Sequence, residues 1–160
     1  MAKNKFILLD RDGTINVEKL DYVKSYDEFK FLPNSIKALQ LLCEKNYKII
    51  IITNQSPIGR GIFSSNDLDK IHEKMCVELR TYDVEIFDIF YCPSLPNDND
   101  FNRKPNPGMI INASKKYGIN LSETYFIGDK ETDLNCADKY GIKGYLFESN
   151  NLENFIKKII

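Results

Sequence analysis

Several kinds of chemistry are closed to this chain by what it lacks. It has one histidine, His72, among 160 residues. That histidine falls on the polar side of a helical pattern, where a solvent-facing side chain is expected, so catalysis must run without histidine. Its four cysteines, Cys43, Cys76, Cys92 and Cys136, stand far apart with no CxxC or C-x-H spacing. They read as reduced thiols in cores and loops, a metal role for Cys92 being the alternative. A net charge of −1 offers no electrostatic footprint for nucleic acid or an anionic membrane, so any phosphate binding must be local. The longest apolar run, 49–52, is far too short to span a bilayer, and MAKNK followed by FILLD lacks the apolar stretch of a secretory signal. A cytoplasmic protein is expected. Internal repeats and low-complexity tracts are absent.

What is present is ordinary globular composition, 42% hydrophobic and 28% charged, at a length that suits one domain, 1–160. Strand-like and helix-like segments alternate, the pattern of an α/β domain with a mostly parallel, doubly wound sheet. Strands are expected at 6–9, 47–52, 86–91, 124–127 and 143–147. Helices are expected at 33–46 with Asn34 as cap, at 65–80, at a segment opened by Asn106-Pro107 and closed by Gly118, and at 131–140. A short apolar helix, 152–160, is expected to pack within the chain, leaving a monomer. Between Pro93 and Pro105 the segment SLPNDNDFN reads as a loop.

The chemistry-bearing residues follow the strands. FILLDRDGTIN, residues 6–16, ends a buried strand with two aspartates around one arginine. Like charges at a strand tip call for an electropositive partner. In open α/β sheets ligands bind beyond the carboxyl ends of the strands. There the sequence sets Asp10 and Asp12, then Thr53, Asn54, Gln55 and Ser56, then Arg103 and Lys104, then Gly128, Asp129 and Asp133. This inventory suits phosphoryl transfer: carboxylates can hold Mg²⁺ in oxygen coordination while the metal and a lysine neutralise phosphate. Asp10 can attack phosphorus, and Asp12 can protonate the leaving alkoxide and then deprotonate water. Gly13 allows a sharp turn beneath the phosphate. Taken singly, a D-x-D is a common turn cap, Thr53-Asn54 a turn signal and Arg103-Lys104 a solvated pair. Their occurrence after four successive strands favours a site.

DRDGT at 10–14, TN at 53–54, RKP at 103–105 and GDKETD at 128–133 resemble, in order and across nearly the whole chain, the four motifs of the haloacid dehalogenase-like hydrolases. More narrowly, TNQSPIGRGIFS, YCPSLP and RKPNPGM are similar to the bacterial heptose 1,7-bisphosphate 7-phosphatases and the related histidinol-phosphate phosphatases. The resemblance implies a Rossmann-like sheet without a large cap domain, and the 22 residues between Asp12 and the helix at Asn34 leave no room for one. It implies Asp10 as nucleophile and Asp12 as general acid/base. Mg²⁺ would be held by Asp10, the backbone carbonyl of Asp12 and Asp129, with Asp133 orienting the loop that carries Asp129. Thr53 and Lys104 would stabilise the transferring group. Arg103, Asn54, Ser56, Lys130 and the loop from Glu18 to Tyr22 would meet a small phosphorylated sugar.

Relatives by this resemblance carry a structural zinc in the loop before Arg103, but the corresponding positions here are Cys92, Ser94, Asp100 and Asn102. One soft ligand of four does not make a tetrahedral zinc site, so no zinc is expected, and the loop is expected to be held by packing and its prolines. The 7-phosphate of D-glycero-D-manno-heptose 1,7-bisphosphate is the leading substrate, for nucleotide-activated heptose biosynthesis, with histidinol phosphate second. A nucleic-acid 3′-phosphatase stands third, disfavoured by the near-neutral charge. A phospho-receiver domain would use similar residues, but it places adjacent acids after its first strand, whereas here nucleophile and acid share D-x-D.

Overall fold

The computed structural model describes residues 4–160. Five parallel strands, β1 (Lys5–Leu9), β2 (Tyr47–Asn54), β3 (Ile86–Cys92), β4 (Tyr125–Gly128) and β5 (Lys143–Leu146), form one sheet in the order β3-β2-β1-β4-β5. Because side chains alternate along a strand, a sheet covered on both faces needs apolar residues at every position. In β2, Ile49 and Ile51 enter one core and Ile50 and Ile52 the other, all fully buried. Each buried isoleucine contributes roughly 1.5–3 kcal/mol of transfer free energy.

The helices are α1 (Ser35–Glu44), α2 (Ser56–Gly59), α3 (Ser65–Arg80), α4 (Gly108–Tyr117), α5 (Glu131–Lys139) and α6 (Leu152–Lys157). Core residues of α1, α3 and α6 cover one face of the sheet, with Leu152 and Ile156 of the last fully buried. Core residues of α4 and α5 cover the other. The chain thus winds from β1 toward β3 on one face, then returns beside β1 and continues to β5 on the opposite face. β1 and β4 are the strands on either side of that reversal, and such a switch point opens a crevice at their carboxyl ends. Between β1 and α1 the chain forms only a 3₁₀ turn, Tyr26–Glu28, and isolated bridges at Asn16, so no cap covers the crevice from this connection.

Two expected caps are not used. Asn34 stands at the cap position in a left-handed conformation, φ 64°, with no side-chain cap bond, and α1 starts at Ser35, two residues after Pro33. Asn106 turns away from α4 and donates from Nδ2 to the carbonyl of Asp100 at 2.9 Å, leaving Pro107 at the cap position. In both cases the asparagine's local capping tendency loses to the geometry of the preceding loop. By contrast α3 begins with a capping box that the periodicity alone does not reveal: Ser64 and Asp67 satisfy each other's backbone amides at 2.9 and 3.1 Å.

Candidate active site

Parallel pairing sets Leu9 opposite Ile127, and the Asp10 amide donates to the Ile127 carbonyl at 3.0 Å. The residues that follow β1 and β4 are therefore neighbours despite more than a hundred intervening residues. Carboxylate oxygens of Asp10, Asp129 and Asp133 all lie within 4.8 Å of one another. Like charges about 4 Å apart repel by about 4 kcal/mol at an effective dielectric near 20, so the trio needs cations. One is built in. Lys104, 3% exposed, donates from Nζ to Asp10 Oδ1 at 2.9 Å, Asp133 Oδ1 at 2.6 Å and the Ile52 carbonyl at 2.8 Å. Burial works against its charge, but the two carboxylates outweigh burial and hold its pKa above the ordinary lysine range.

One ammonium does not balance three acids. Asp129 Oδ1 is buried with no hydrogen-bond partner, and burial, with the Asp10 charge next, pushes this carboxyl up to about 7. Gly13 sits against it at φ 82°, where a Cβ would fall 2.1 Å from Asp129 Oδ2. Only glycine permits both that turn and that approach. A hard divalent cation fits this donor set: oxygen ligands, surplus negative charge and one buried acceptor with nothing to accept from.

Asp12, two residues beyond Asp10, lies in the opposite environment. Its Oδ1 and Oδ2 accept from Arg11 Nη2 at 2.8 and 3.1 Å, from Asn16 Nδ2 at 2.9 Å and from Gln55 Nε2 at 2.8 Å. Burial raises its pKa, but the Arg11 guanidinium and these bonds outweigh burial and hold it below the usual carboxylate range. The arginine between the aspartates is thus itself the electropositive partner of one of them. Arg11 is 1% exposed, with Phe29 stacked 5.7 Å from its guanidinium carbon.

His72 corrects the expectation that it faces solvent. It is 7% exposed, and its Nε2 lies 3.0 Å from Arg11 Nη1. It stands four residues after Leu68 and three before Met75, both fully buried, so helical spacing sets it on the apolar side of α3, over the buried Arg11.

A cleft of about 230 Å³ opens at these strand ends. Asp10, Asp12, Thr53 and Lys104 line it, with Asp133. Glu18, Tyr22, Asn54, Ser56, Arg103 and Lys130 line it too, so the residues predicted to meet substrate are brought together. Asp129 instead lines an adjoining cleft of about 420 Å³ with Gly13 and Leu32. Asn54 holds the backbone of Lys104 through reciprocal bonds of 3.0 Å, while Thr53 Oγ1 accepts from Gln55 Nε2 at 3.1 Å. Ser56 opens α2, a four-residue helix too short to leave a periodic signal. Glu18 and Lys130 pair across the rim at 2.6 Å. Asp133 accepts from the Lys130 amide at 3.1 Å as well as from Lys104, tying the loop of Asp129 to α5.

The sequence reading left Arg11, Asn16 and Thr132 without a role, and named Gln55 without assigning one. Arg11 reaches His72 and Gln55 reaches Asp12 across the fold, while Arg11 and Asn16 meet Asp12 within their own segment and Thr132 lines the cleft; only the odd composition of DRD hinted at the ion pair. The loop before Arg103 is also held by hydrogen bonds around Asp100, which the sequence reading did not anticipate. Ser94 Oγ donates to the Asp100 carboxylate, the Asn102 amide donates to Oδ1 at 2.7 Å, and Arg103 Nη1 donates to the Ser94 carbonyl at 2.8 Å. Cys92 is buried and free.

Comparison with known proteins agrees with this arrangement. Residues 5–142 match the family described as polynucleotide kinase 3 phosphatase. The chain is 34% identical to a D-glycero-β-D-manno-heptose-1,7-bisphosphate 7-phosphatase of Rhodopseudomonas palustris, over 95% of this chain and 88% of that protein. It is 36% identical to the corresponding α-heptose enzyme of Photorhabdus laumondii, over 88% and 80%. The crystal structure of a D,D-heptose 1,7-bisphosphate phosphatase from B. bronchiseptica, complexed with magnesium and phosphate, superimposes with a TM-score of 0.87 at 34% identity, covering 96% of this chain and 86% of that one. Likeness of this extent, in sequence and in sheet, makes the chain a member of the polynucleotide kinase 3 phosphatase family, haloacid dehalogenase-like enzymes that hydrolyse phosphoric monoesters.

Proposed function

We propose that this enzyme is a Mg²⁺-dependent phosphatase that removes the 7-phosphate of D-glycero-D-manno-heptose 1,7-bisphosphate through an aspartyl-phosphate on Asp10, as a cytoplasmic monomer of one domain. The observation that carries this reading is the trio of carboxylates within 4.8 Å around a fully buried lysine, at the edge of a cleft open to a small substrate. The activities of the relatives support the sugar, and the magnesium and phosphate in the similar crystal structure support the metal.

In this reading Asp10 attacks phosphorus with the oxygen not engaged by Lys104. Thr53 and Lys104 meet the phosphoryl oxygens, and Asp12 gives a proton to the departing sugar oxygen, then takes one from the water that hydrolyses the acyl phosphate. Asp10, the Asp12 carbonyl and Asp129 would hold Mg²⁺, which supplies charge neutralisation as a dianion approaches an anionic nucleophile. Arg103, Lys130, Glu18, Tyr22, Asn54 and Ser56 select the sugar. The cleft walls mix both charge signs, which suits a small phosphorylated sugar, with hydroxyls as well as phosphates, better than a nucleic-acid strand.

Two measurements test this. Asp10→Asn keeps the shape of the side chain and should reduce turnover by at least about 10³-fold while the thermal transition stays cooperative; substantial residual turnover removes Asp10 as nucleophile. A panel of both anomers of the heptose bisphosphate, L-histidinol phosphate and a 3′-phosphorylated oligonucleotide should show the highest kcat/KM on the heptose. Faster hydrolysis of either of the others overturns the substrate assignment and leaves the phosphatase chemistry standing.

A further inference from the structure

We propose that Arg11, held in place by a neutral His72, is a positioning residue that aims the Asp12 carboxylate for the water-activating half of the reaction. This rests on the assignment of Asp12 as acid/base. The guanidinium can only donate, so the 3.0 Å contact between Arg11 Nη1 and His72 Nε2 makes Nε2 the acceptor and leaves the ring proton on Nδ1. His72 therefore anchors one arm of the guanidinium while the other, Nη2, straddles both oxygens of Asp12. Phe29 lies against the guanidinium, and its buried Nε has no partner to hold it otherwise. Without the histidine, one arm of the fork loses its anchor, and the two bonds that it makes to Asp12 lose their fixed direction. Asn16 and Gln55 hold Asp12 from other sides, so its carboxylate stays at the cleft but is aimed less closely.

An ionised, fixed carboxylate suits the second step. Water oxygen bonds to phosphorus, the bond from phosphorus to the Asp10 oxygen breaks, Asp10 leaves as carboxylate and the water proton passes to Asp12. The first step on p-nitrophenyl phosphate needs no acid, because p-nitrophenolate leaves without a proton. That substrate therefore isolates the second step.

His72→Leu removes the acceptor and His72→Gln restores one, its Oε1 standing near where Nε2 was. With p-nitrophenyl phosphate, His72→Leu should lower kcat by roughly 10- to 100-fold. It should release a burst of p-nitrophenolate equal to the enzyme present, with acid-quenched protein carrying one phosphoryl group; His72→Gln should recover most of the rate and lose the burst. If His72→Leu does not fold, Arg11→Lys, whose single ammonium cannot hold both partners, takes its place with the same expectation. A merely structural role predicts a lower rate with no phosphoenzyme accumulating, and that result overturns the proposal, as does an undiminished rate in His72→Leu or no recovery in His72→Gln. Failure of the wild-type protein to turn over this ester is a different outcome: it strikes the phosphatase mechanism itself.

Discussion

Asp12 and Asp129 flank Asp10 and are the same residue type, yet their surroundings are opposite. Asp12 receives hydrogen bonds from Arg11, Asn16 and Gln55, and its pKa is held low. Asp129 has a buried oxygen with no donor, stands beside the Asp10 charge, and is pushed up to about 7. Groups of one kind driven to opposite proton affinities within one site are the mark of divided chemical labour. The first is complete as the chain alone builds it. The second keeps a buried oxygen that none of the described residues meets with a donor.

The largest test of that contrast is truncation. Asp12→Ala should lower kcat by about 10²–10⁴-fold, in the range of a lost general acid/base. It should also cost about 3 kcal/mol in urea denaturation, because it leaves the buried Arg11 charge short of its counterion. Asp129→Asn should abolish Mg²⁺ binding in calorimetric titration, yet raise the melting temperature of metal-free protein by about 2–4 °C, since it removes an unfavourable ionisation of about 1 kcal/mol. If both substitutions destabilise the metal-free protein equally, the contrast between the two carboxylates is wrong.

A second test uses pH. In metal-free protein Asp129 titrates near about 7 against an ordinary value of 3.8. Below 3.8 the group is neutral in folded and unfolded chains alike. As pH rises toward 7 the unfolded carboxyl ionises first, so its contribution to stability is lost through that window. In chelator, wild-type protein should therefore lose stability relative to Asp129→Asn between pH 3.8 and 7, and excess Mg²⁺ should remove the difference. Parallel stability curves in chelator would refute the raised pKa.

The smallest effect belongs to the rim. Glu18 and Lys130 are each nearly half exposed, so breaking their pair should change stability by less than about 1 kcal/mol, less again in high salt. Lys130 Nζ also lies 3.9 Å from Asp129 Oδ2. Glu18→Gln should free it toward Asp129 and move that carboxyl's titration slightly downward, measurable by NMR as a shifted midpoint; an upward shift would show that Lys130 does not reach it.

Much of this was legible from the chain. Short apolar runs and period-3.6 patterns placed the five strands and the longer helices within a few residues, and the acids, threonine and lysine after the strands gather at the candidate site. Four-residue α2 was not visible, because one turn has no periodicity to read. The caps at Asn34 and Asn106 failed because a cap is decided by the backbone that precedes it. His72 failed for a different reason: its spacing from Leu68 and Met75 puts it on the apolar side of α3, and its polar residue type was weighed above that spacing.

The sequence by itself determined which residues stand at strand ends, since hydrophobic alternation and chain order follow from local chemistry and from the burial each strand requires. Tertiary structure alone decided their electrostatics. Whether an aspartate meets a guanidinium or an empty oxygen-lined corner depends on which distant segments the parallel pairing of β1 with β2 and β4 brings together. Charge energies vary with distance and burial over a few ångströms, and no spacing along the chain encodes those.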